Sequence, residues 1–418
     1  ILKQLLDAKL VQQTEVPGIG ACVQLSQQIN LEPYEITRIR GRIHTEEILL
    51  LAIKDWARKL GLVSYDKVEL RASDVTATQP RIGTFNWDLA APSYVAPLVE
   101  WSAGKIKPGF LACDVLLERA VQATDLRPFI NKSRTLRSLK GVARCLQIFV
   151  AENYSPEALR LAKENGVLPA TPDSLFGAEV AAALRLLVSV LSDAYAGAVS
   201  AEKIAEIFTR LSSIEGAATN LRGALFEYVV ADLVKRSSPD TDTRLNEGVI
   251  GLDGKTAEVD VLAVRHGHSV RFIECKGYKP GGTIPDEMVQ RWLENRIPLI
   301  RSEAMINRFW RGHALSFELW TTGVLSPEAW ALVQRAQQAS PGKYTVHVVD
   351  HDALLAVSRE HGDKALQNTL AQHFFEHPLQ TIDRDQERRL RHQALRALVA
   401  SQRTVPKQTR LDYQRGTK

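Results

Sequence analysis

The sequence predicts an α/β protein made of two similar units joined by a helical region. Residues 256–277, TAEVDVLAVRHGHSVRFIECKG, read as two short strands around a His266-Gly267-His268 turn, with apolar and β-branched side chains alternating against charged ones. The order helix, antiparallel strands, strand, helix, strand occurs before residue 176 and returns after residue 220. The tetrapeptide Ser155-Pro156-Glu157-Ala158 recurs as Ser326 to Ala329 at an offset of 171, and Asp88 and Asp260 differ by 172. Two signals at almost one offset argue for an internal duplication, although a four-residue match also arises from generic helix-start chemistry.

Taken in order, residues 1–39 form an N-terminal helical segment in which ILKQLLDAKL reads as an amphipathic helix; a signal peptide would need a basic start and a longer apolar core. The first α/β unit spans 40–176. Thr45 to Leu60 has Leu49, Leu50, Ile53, Trp56 and Leu60 at helical spacing, with Thr45 as its cap and Gly61 after its last turn. VELRA, FNWDLAA, SYVAPLV and GFLACDVLL follow as strand-like pieces, then CLQIFVA as a strand, a helix opened by Ser155-Pro156, and a short strand in VLPATPDSLFG. Proline suits the first helical position because its missing N–H would have no partner there.

Residues 177–221 form a helical connector, AEVAAALRLLVSVLSDAYAGAV and SAEKIAEIFTRLSSI, with the turn at Gly197 or Ser200. It suits either a brace between the units or a dimer surface. The second unit, 222–355, starts with the helix Arg222 to Lys235, continues through the hairpin, and adds a helix from Asp286 to Ile297, the strand FELWTTG, the helix SPEAWALVQRAQ and the strand YTVHVV. Residues 356–418 are a helical, basic C-terminal region with a mixed helix from about Asp385 to Val399; from 381 onward there are ten Lys or Arg against four Asp or Glu. This end suits contact with phosphate and equally suits a solvated helix with a frayed terminus.

Composition narrows the class. At 45% hydrophobic residues the 418-residue chain is globular and long enough for more than one core. The net charge of +5 is modest for its size, so its distribution matters more than its total. Cys22, Cys113, Cys145 and Cys275 have neither paired nor metal-ligand spacing, which leads us to expect a reducing cytoplasm. Apolar runs fall short of a membrane span. No GxxxxGK[ST] loop occurs, so ATP-driven movement is not expected, and His266 and His268 belong to the turn, without a third zinc ligand.

The chemistry gathers on the hairpin. Glu258 and Asp260 share one face of its first strand, Glu274 and Lys276 one face of its second. Unpartnered burial of such charges would cost several kcal/mol in order of magnitude, so they belong at the surface or in a site that binds something charged. Asp260, then 13 residues, then Glu274-Cys275-Lys276 resembles the PD-(D/E)XK nuclease superfamily in its restriction-endonuclease-like branch, with Val259 where the name has proline.

The resemblance covers chiefly residues 222–350, with a weaker echo over 40–175. It implies two restriction-endonuclease-like units, the first degenerate, joined by the helical region. Asp88 stands where the first acid belongs, but Asp114 is followed two residues later by Leu116, not lysine. In the second unit the resemblance makes Asp260 and Glu274 ligands of Mg²⁺, with Mn²⁺ as substitute, helped by the Cys275 backbone carbonyl. It makes Lys276 the residue that positions the nucleophile or stabilises the transition state, and Glu227 the acid of the preceding helix. Glu258 is an auxiliary acid or a surface carboxylate. Lys279, in the glycine-rich GYKPGGTIP, and Gln290 with Arg291 on the next helix would face the substrate, or be an ordinary solvated loop and helix surface. The implied activity is metal-dependent hydrolysis of DNA, duplex DNA for preference, in bacterial defence or restriction, with a homodimer or a defence-system protein as partner and no membrane. The alternative is a non-catalytic nucleic-acid-binding or scaffold protein that keeps the nuclease-like fold.

Overall fold

The computed structural model describes residues 2–16, 19–27, 33–72, 79–102, 105–192, 200–214, 216–252, 254–340 and 342–375. The basic end after residue 380, the helix expected at 385–399 and the turn expected at Gly197 lie outside these residues.

Helix α1 (Leu2–Asp7) is followed by an antiparallel hairpin, β1 (Val11–Val16) and β2 (Gly20–Leu25). The 1–39 segment is therefore not all helical. VQQTEV and GACVQL carry alternating burial, the period of a strand with one covered face. Helix α2 (Pro33–Lys59) opens on proline and runs unbroken through Thr45, which is not its cap. Thr45 is buried, and its hydroxyl donates to the Gly41 carbonyl one turn back at 2.8 Å, the arrangement that lets threonine sit inside a helix.

The first sheet is built from β3 (Glu69–Leu70), β6 (Leu89–Ser93), β9 (Gly109–Val121), β10 (Cys145–Tyr154) and β11 (Leu168–Ala170). Two small hairpins interrupt it, β4 (Arg81–Ile82) with β5 (Phe85–Asn86), and β7 (Glu100–Ser102) with β8 (Lys105–Lys107). SYVAPLV is not a strand beyond Ser93: the Leu98 and Val99 amides both donate to the Val95 carbonyl, a turn around Pro97, which has no amide to offer a ladder. Helix α3 (Ala123–Ser138), which the sequence reading passed over, follows β9; α4 (Pro156–Glu164) joins β10 to β11.

Helices α5 (Pro172–Phe176), α6 (Ala178–Ser192) and α7 (Ala201–Leu211) lead to α8 (Ala217–Ser237). The second sheet contains β12 (Asp242–Ile250), β13 (Thr256–Arg265), β14 (Ser269–Lys276), β15 (Ala314–Thr321) and β16 (Thr345–Val349). After β14 come α9 (Asp286–Arg291), a π-helical turn over Trp292–Arg296 and α10 (Ile297–Ile306), so the helix expected to stop at Ile297 continues through a bulge. Helix α11 (Pro327–Ala339) precedes β16; α12 (His351–His361) and α13 (Lys364–Leu370) close the described chain.

The two sheets have the same plan. Their orders are β11-β10-β9-β6-β3 and β16-β15-β14-β13-β12, and in each the three strands later in the chain are parallel while the two earlier ones are antiparallel additions. The repeated tetrapeptide falls at equivalent places: the Ser155 hydroxyl caps α4 by accepting the Ala158 amide at 3.2 Å, and the Ser326 hydroxyl caps α11 by accepting that of Ala329 at 2.9 Å. Both alanines are fully buried, which a larger residue at that position would prevent.

One apolar core spans both sheets. Leu89, Leu111 and Ile148 of the first pack through α2, α6, α7 and α8 onto Val261, Ile273 and Trp320 of the second. Each fully buried Leu, Ile or Phe contributes about 1.5–3 kcal/mol relative to exposure, so the helices between the sheets are the main link between the halves. The opposite faces carry their own cores, Trp87, Phe129 and Phe149 in the first half and Phe272, Trp292 and Phe317 in the second. No helix among the described residues is long and apolar enough to cross a membrane.

Candidate active site

The site forms where β13 and β14 part. Their ladder ends at Val261 opposite Ile273, leaving the Cys275 amide without a partner from β13. The Asp260 carboxylate takes that role, with Oδ2 accepting the Cys275 N–H at 2.7 Å. This turns Asp260 toward the end of β14, where Glu274 and Lys276 stand two residues apart on one face.

Lys276 Nζ is the meeting point. It lies 2.8 Å from Glu274 Oε1, 3.0 Å from the Cys275 carbonyl oxygen and 3.5 Å from Asp260 Oδ2. Asp260 and Glu274 are 6% and 5% exposed, so these charges interact in surroundings far less screening than water. Burial works against the Lys276 ammonium, but Asp260 and Glu274 outweigh it and raise its pKa well above the ordinary lysine value. Lys276 is a fixed cation here, not a proton acceptor.

Glu227 arrives from α8. Gly277, directly after Lys276, lets the helix backbone come this close, since a Cβ there would lie 2.4 Å from the Arg222 carbonyl oxygen and 2.9 Å from Phe226 Cβ. Burial, then the Asp260 charge, push the Glu227 carboxyl up to about 8, against the relief given by Arg40 and Lys276. Burial and the neighbouring acids thus shift Glu227 toward its protonated form.

Two participants were not foreseen. Arg296, in the π-helical turn, donates through Nη1 to Glu274 Oε2 at 2.5 Å. Burial lowers the Arg296 pKa, but Glu274 and Asp260 more than restore it. Arg40 of α2 is ion-paired with Glu258, two residues before Asp260. Glu258 is 9% exposed and therefore not a surface carboxylate, and its ion-pair partner is Arg40. Arg296 lies inside the helix expected from Asp286 to Ile297, with no local signal that turns it toward Glu274, and Arg40 precedes the helix expected from Thr45.

The remaining candidates are solvent-exposed. Lys279 is exposed. Gln290 is exposed and donates to both carboxylate oxygens of Glu294 on its own helix, at 3.2 and 3.0 Å. Arg291 is exposed beside it. His266 and His268 are exposed in the turn, where Gly267 has a φ of 75° and its amide donates to His313 Nε2 at 2.9 Å.

A divalent cation fits this donor set. Two carboxylates and a backbone carbonyl converge on one point, now held by the Lys276 ammonium, and all are hard oxygen donors. Among the described residues no three His, Cys, Asp or Glu side chains gather as a ligand set, so such a cation would take the backbone oxygen and water as further ligands.

The first half repeats the carboxylate geometry. The β6–β9 ladder ends at Leu89 opposite Cys113, and Asp88 Oδ2 accepts the Val115 amide at 2.8 Å, the counterpart of the Asp260–Cys275 bond. Leu116 leaves β9 without an ammonium, yet Lys132 from α3 places Nζ 2.6 Å from Asp114 Oδ2. Glu46 of α2 accepts the Leu117 amide at 3.0 Å, and Arg71 bridges Glu46 and Asp88.

No protein-family model matches the chain, and no curated protein matches it. A crystal structure of a protein of unknown function, AF1548, is similar over 32% of this chain and 67% of its own, at 17% identity and a TM-score of 0.22.

Proposed function

We propose that the chain is a Mg²⁺-dependent DNA endonuclease of the restriction-endonuclease-like class, with its active centre at Asp260, Glu274 and Lys276. The observation that carries this reading is the convergence of the Asp260 carboxylate, the Glu274 carboxylate and the Cys275 carbonyl on Lys276 Nζ. The sheet plan and the sequence resemblance described above support the class.

Asp260, Glu274 and the Cys275 carbonyl would hold the cation. When bound, Mg²⁺ supplies a lowered pKa for a water nucleophile and offsets charge on the phosphodiester. Lys276, fixed as an ammonium, donates to a non-bridging phosphate oxygen and stabilises the charge that develops there. Asp260 is oriented by its bond to the Cys275 amide, so the end of β14 and the first acid move as one piece. Glu227, shifted toward its protonated form by burial and by Asp260, would add less negative charge to the site than an ordinary glutamate. Arg296 and Lys276, which pair with Glu274 here, would be the two cations placed to face phosphate with Glu274 given to the metal. Duplex DNA as substrate, a defence setting and a homodimeric or defence-system partner come from the resemblance and belong to the same proposal, as does a cytoplasmic location.

The test is cleavage of supercoiled and linear DNA with Mg²⁺ or Mn²⁺. Wild type should nick or cut, and chelation should stop it. Lys276→Ala should lower the rate by roughly 10²-fold or more, and Asp260→Asn with Glu274→Gln should abolish it. Undiminished cutting by a folded Lys276→Ala protein would sink the assignment. The second reading, a binding module, draws on the Lys276 and Arg296 pairs that balance Glu274 without any metal. It requires DNA affinity that survives removal of both acids and no metal-dependent turnover.

A further inference from the structure

We propose that helices α2 and α6 hold a binding site for a small amphipathic anion, an apolar body ending in one phosphate or carboxylate group. The site shares no residue with the Asp260 centre and does not depend on the nuclease reading.

Helices α2 and α6 touch at Gly41, where an added Cβ would lie 2.9 Å from Leu191 Cβ. Beside that contact they enclose, with β9, β10 and the start of α5, a cavity of about 310 Å³, within the size range of small-ligand sites. Its apolar wall comes from α6, where Ala181, Leu184 and Val188 recur at helical spacing, and from Leu117 of β9 and Pro172 of α5. Leu117 and Leu184 are also part of the central core, so the packing behind them fixes this wall in place.

The polar side of the cavity is cationic. Arg38 and Arg42, one turn apart on α2, line it together with Arg185 of α6, while Arg40, between the first two, turns instead to Glu258. Arg42 lies 3.9 Å from Glu46, whose two carboxylate oxygens accept from the Leu117 amide and from Arg71. Arg38 and Arg185 are exposed, and among the described residues no acid pairs with either. The lining contains one carboxylate, the exposed Glu152. Three guanidinium groups against one carboxylate, set around an apolar wall, are complementary to a ligand with one anionic end and an apolar remainder. The guanidinium fork suits phosphate and carboxylate alike. A nucleic-acid backbone fits less well, because it would meet the arginines and leave the apolar wall uncovered.

Calorimetric titration of the full chain with octyl phosphate and with octanoate tests this, with octylamine and inorganic phosphate as comparisons. At least one of the two amphipathic anions should bind at one equivalent, tighter than octylamine and inorganic phosphate by roughly tenfold or more. Preference for octyl phosphate identifies the ligand as a phosphate ester, preference for octanoate as a carboxylate. Arg38→Ala and Arg185→Ala, both at exposed positions, should each weaken binding by roughly tenfold. Val188→Phe, which fills the cavity and removes no charge, should abolish it in a protein whose circular dichroism matches wild type. Failure of both amphipathic anions to bind overturns the inference, as does binding that survives both arginine changes or a folded Val188→Phe protein. Equal binding of octylamine overturns it by showing an apolar cavity without preference for anions, and equal binding of inorganic phosphate by showing an anion site without an apolar part. Loss of DNA affinity in the two arginine variants, with neither amphipathic anion bound by wild type, also overturns it and assigns the arginines to nucleic acid, leaving the proposed function standing.

Discussion

Arg296 Nη1 donates to Glu274 Oε2 at 2.5 Å, while the other oxygen of the same carboxylate is held by Lys276. The buried Glu274 is therefore paired through both oxygens, and a divalent cation at the proposed site would have to compete with Arg296 and Lys276 for it. Arg296→Met removes one competitor. Mn²⁺ affinity at this site should rise, by roughly three- to tenfold, while DNA cleavage falls because Arg296 is no longer there to face phosphate. Calorimetry and a cleavage assay on the same preparation check both arms. Weaker Mn²⁺ binding in a folded Arg296→Met protein would show that the arginine organises Glu274 for the metal and does not compete with it.

Glu227 predicts a pH dependence of stability. Its folded-state pKa, about 8, lies above the ordinary value of 4.5, so the native state binds this proton more tightly than the unfolded state does. The resulting stabilisation is complete below about 4.5 and is lost as pH rises through 8. Its slope cannot exceed ~1.4 kcal/mol per pH unit. Denaturant titrations of metal-free wild type between pH 5 and 8 should show stability falling relative to Glu227→Gln, which cannot ionise. Parallel pH profiles for the two proteins would refute the assignment.

The ion pair between Arg40 and Glu258 ties a helix of the first half to the strand bearing Asp260. Both side chains are about nine-tenths covered, at 12% and 10% exposure. Arg40→Ala should cost about 1–3 kcal/mol by leaving Glu258 buried and unpaired, and Arg40→Ala with Glu258→Gln should cost less than the sum of the two single changes. Since Arg40 also lowers the Glu227 pKa, the single change should move the pH-dependent loss of stability to higher pH. Additive single and double effects would mean that the pair does not couple the halves.

What the sequence revealed and what it hid follow one physical division. Asp260, Glu274 and Lys276 were legible because a strand of period two places neighbouring residues predictably, and Ser155 and Ser326 because a serine cap followed by proline is a local signal. Arg296, Lys132 and Arg40 were not. Each reaches its carboxylate from a helix, and tertiary packing decides where that helix lies; for Arg296 the π-helical turn also shifts the face on which the side chain emerges. Strand β12 was missed because DTRLNEGVI is mostly half-buried, without the clean alternation that marks a one-sided strand. Thr45 was misread because a residue that caps helices also fits inside one when its hydroxyl turns back to the preceding turn.

Gly277 gives the last prediction, one that touches no charge. Its place after Lys276 is where α8 crosses the end of β14, and an added methyl would meet the Arg222 carbonyl oxygen at 2.4 Å and carbon at 2.9 Å. Those are backbone atoms of a helix whose Leu225, Phe226 and Val229 are fully buried in the central core. The helix cannot yield without disturbing that packing, so β14 or α8 has to shift, at an expected cost of about 1–3 kcal/mol. A shift there opens the surroundings of Glu227 to water and moves it relative to Asp260, weakening the burial and the charge that raise its pKa. Gly277→Ala should therefore lower thermal stability and also flatten the pH dependence described for Glu227, with all the charged residues still present. Gly223→Ala is the control, because no atom lies within 4 Å of an added Cβ at that position of the same helix. Gly277→Ala with wild-type stability and an unchanged pH profile would show that the helix-to-strand approach does not position the site.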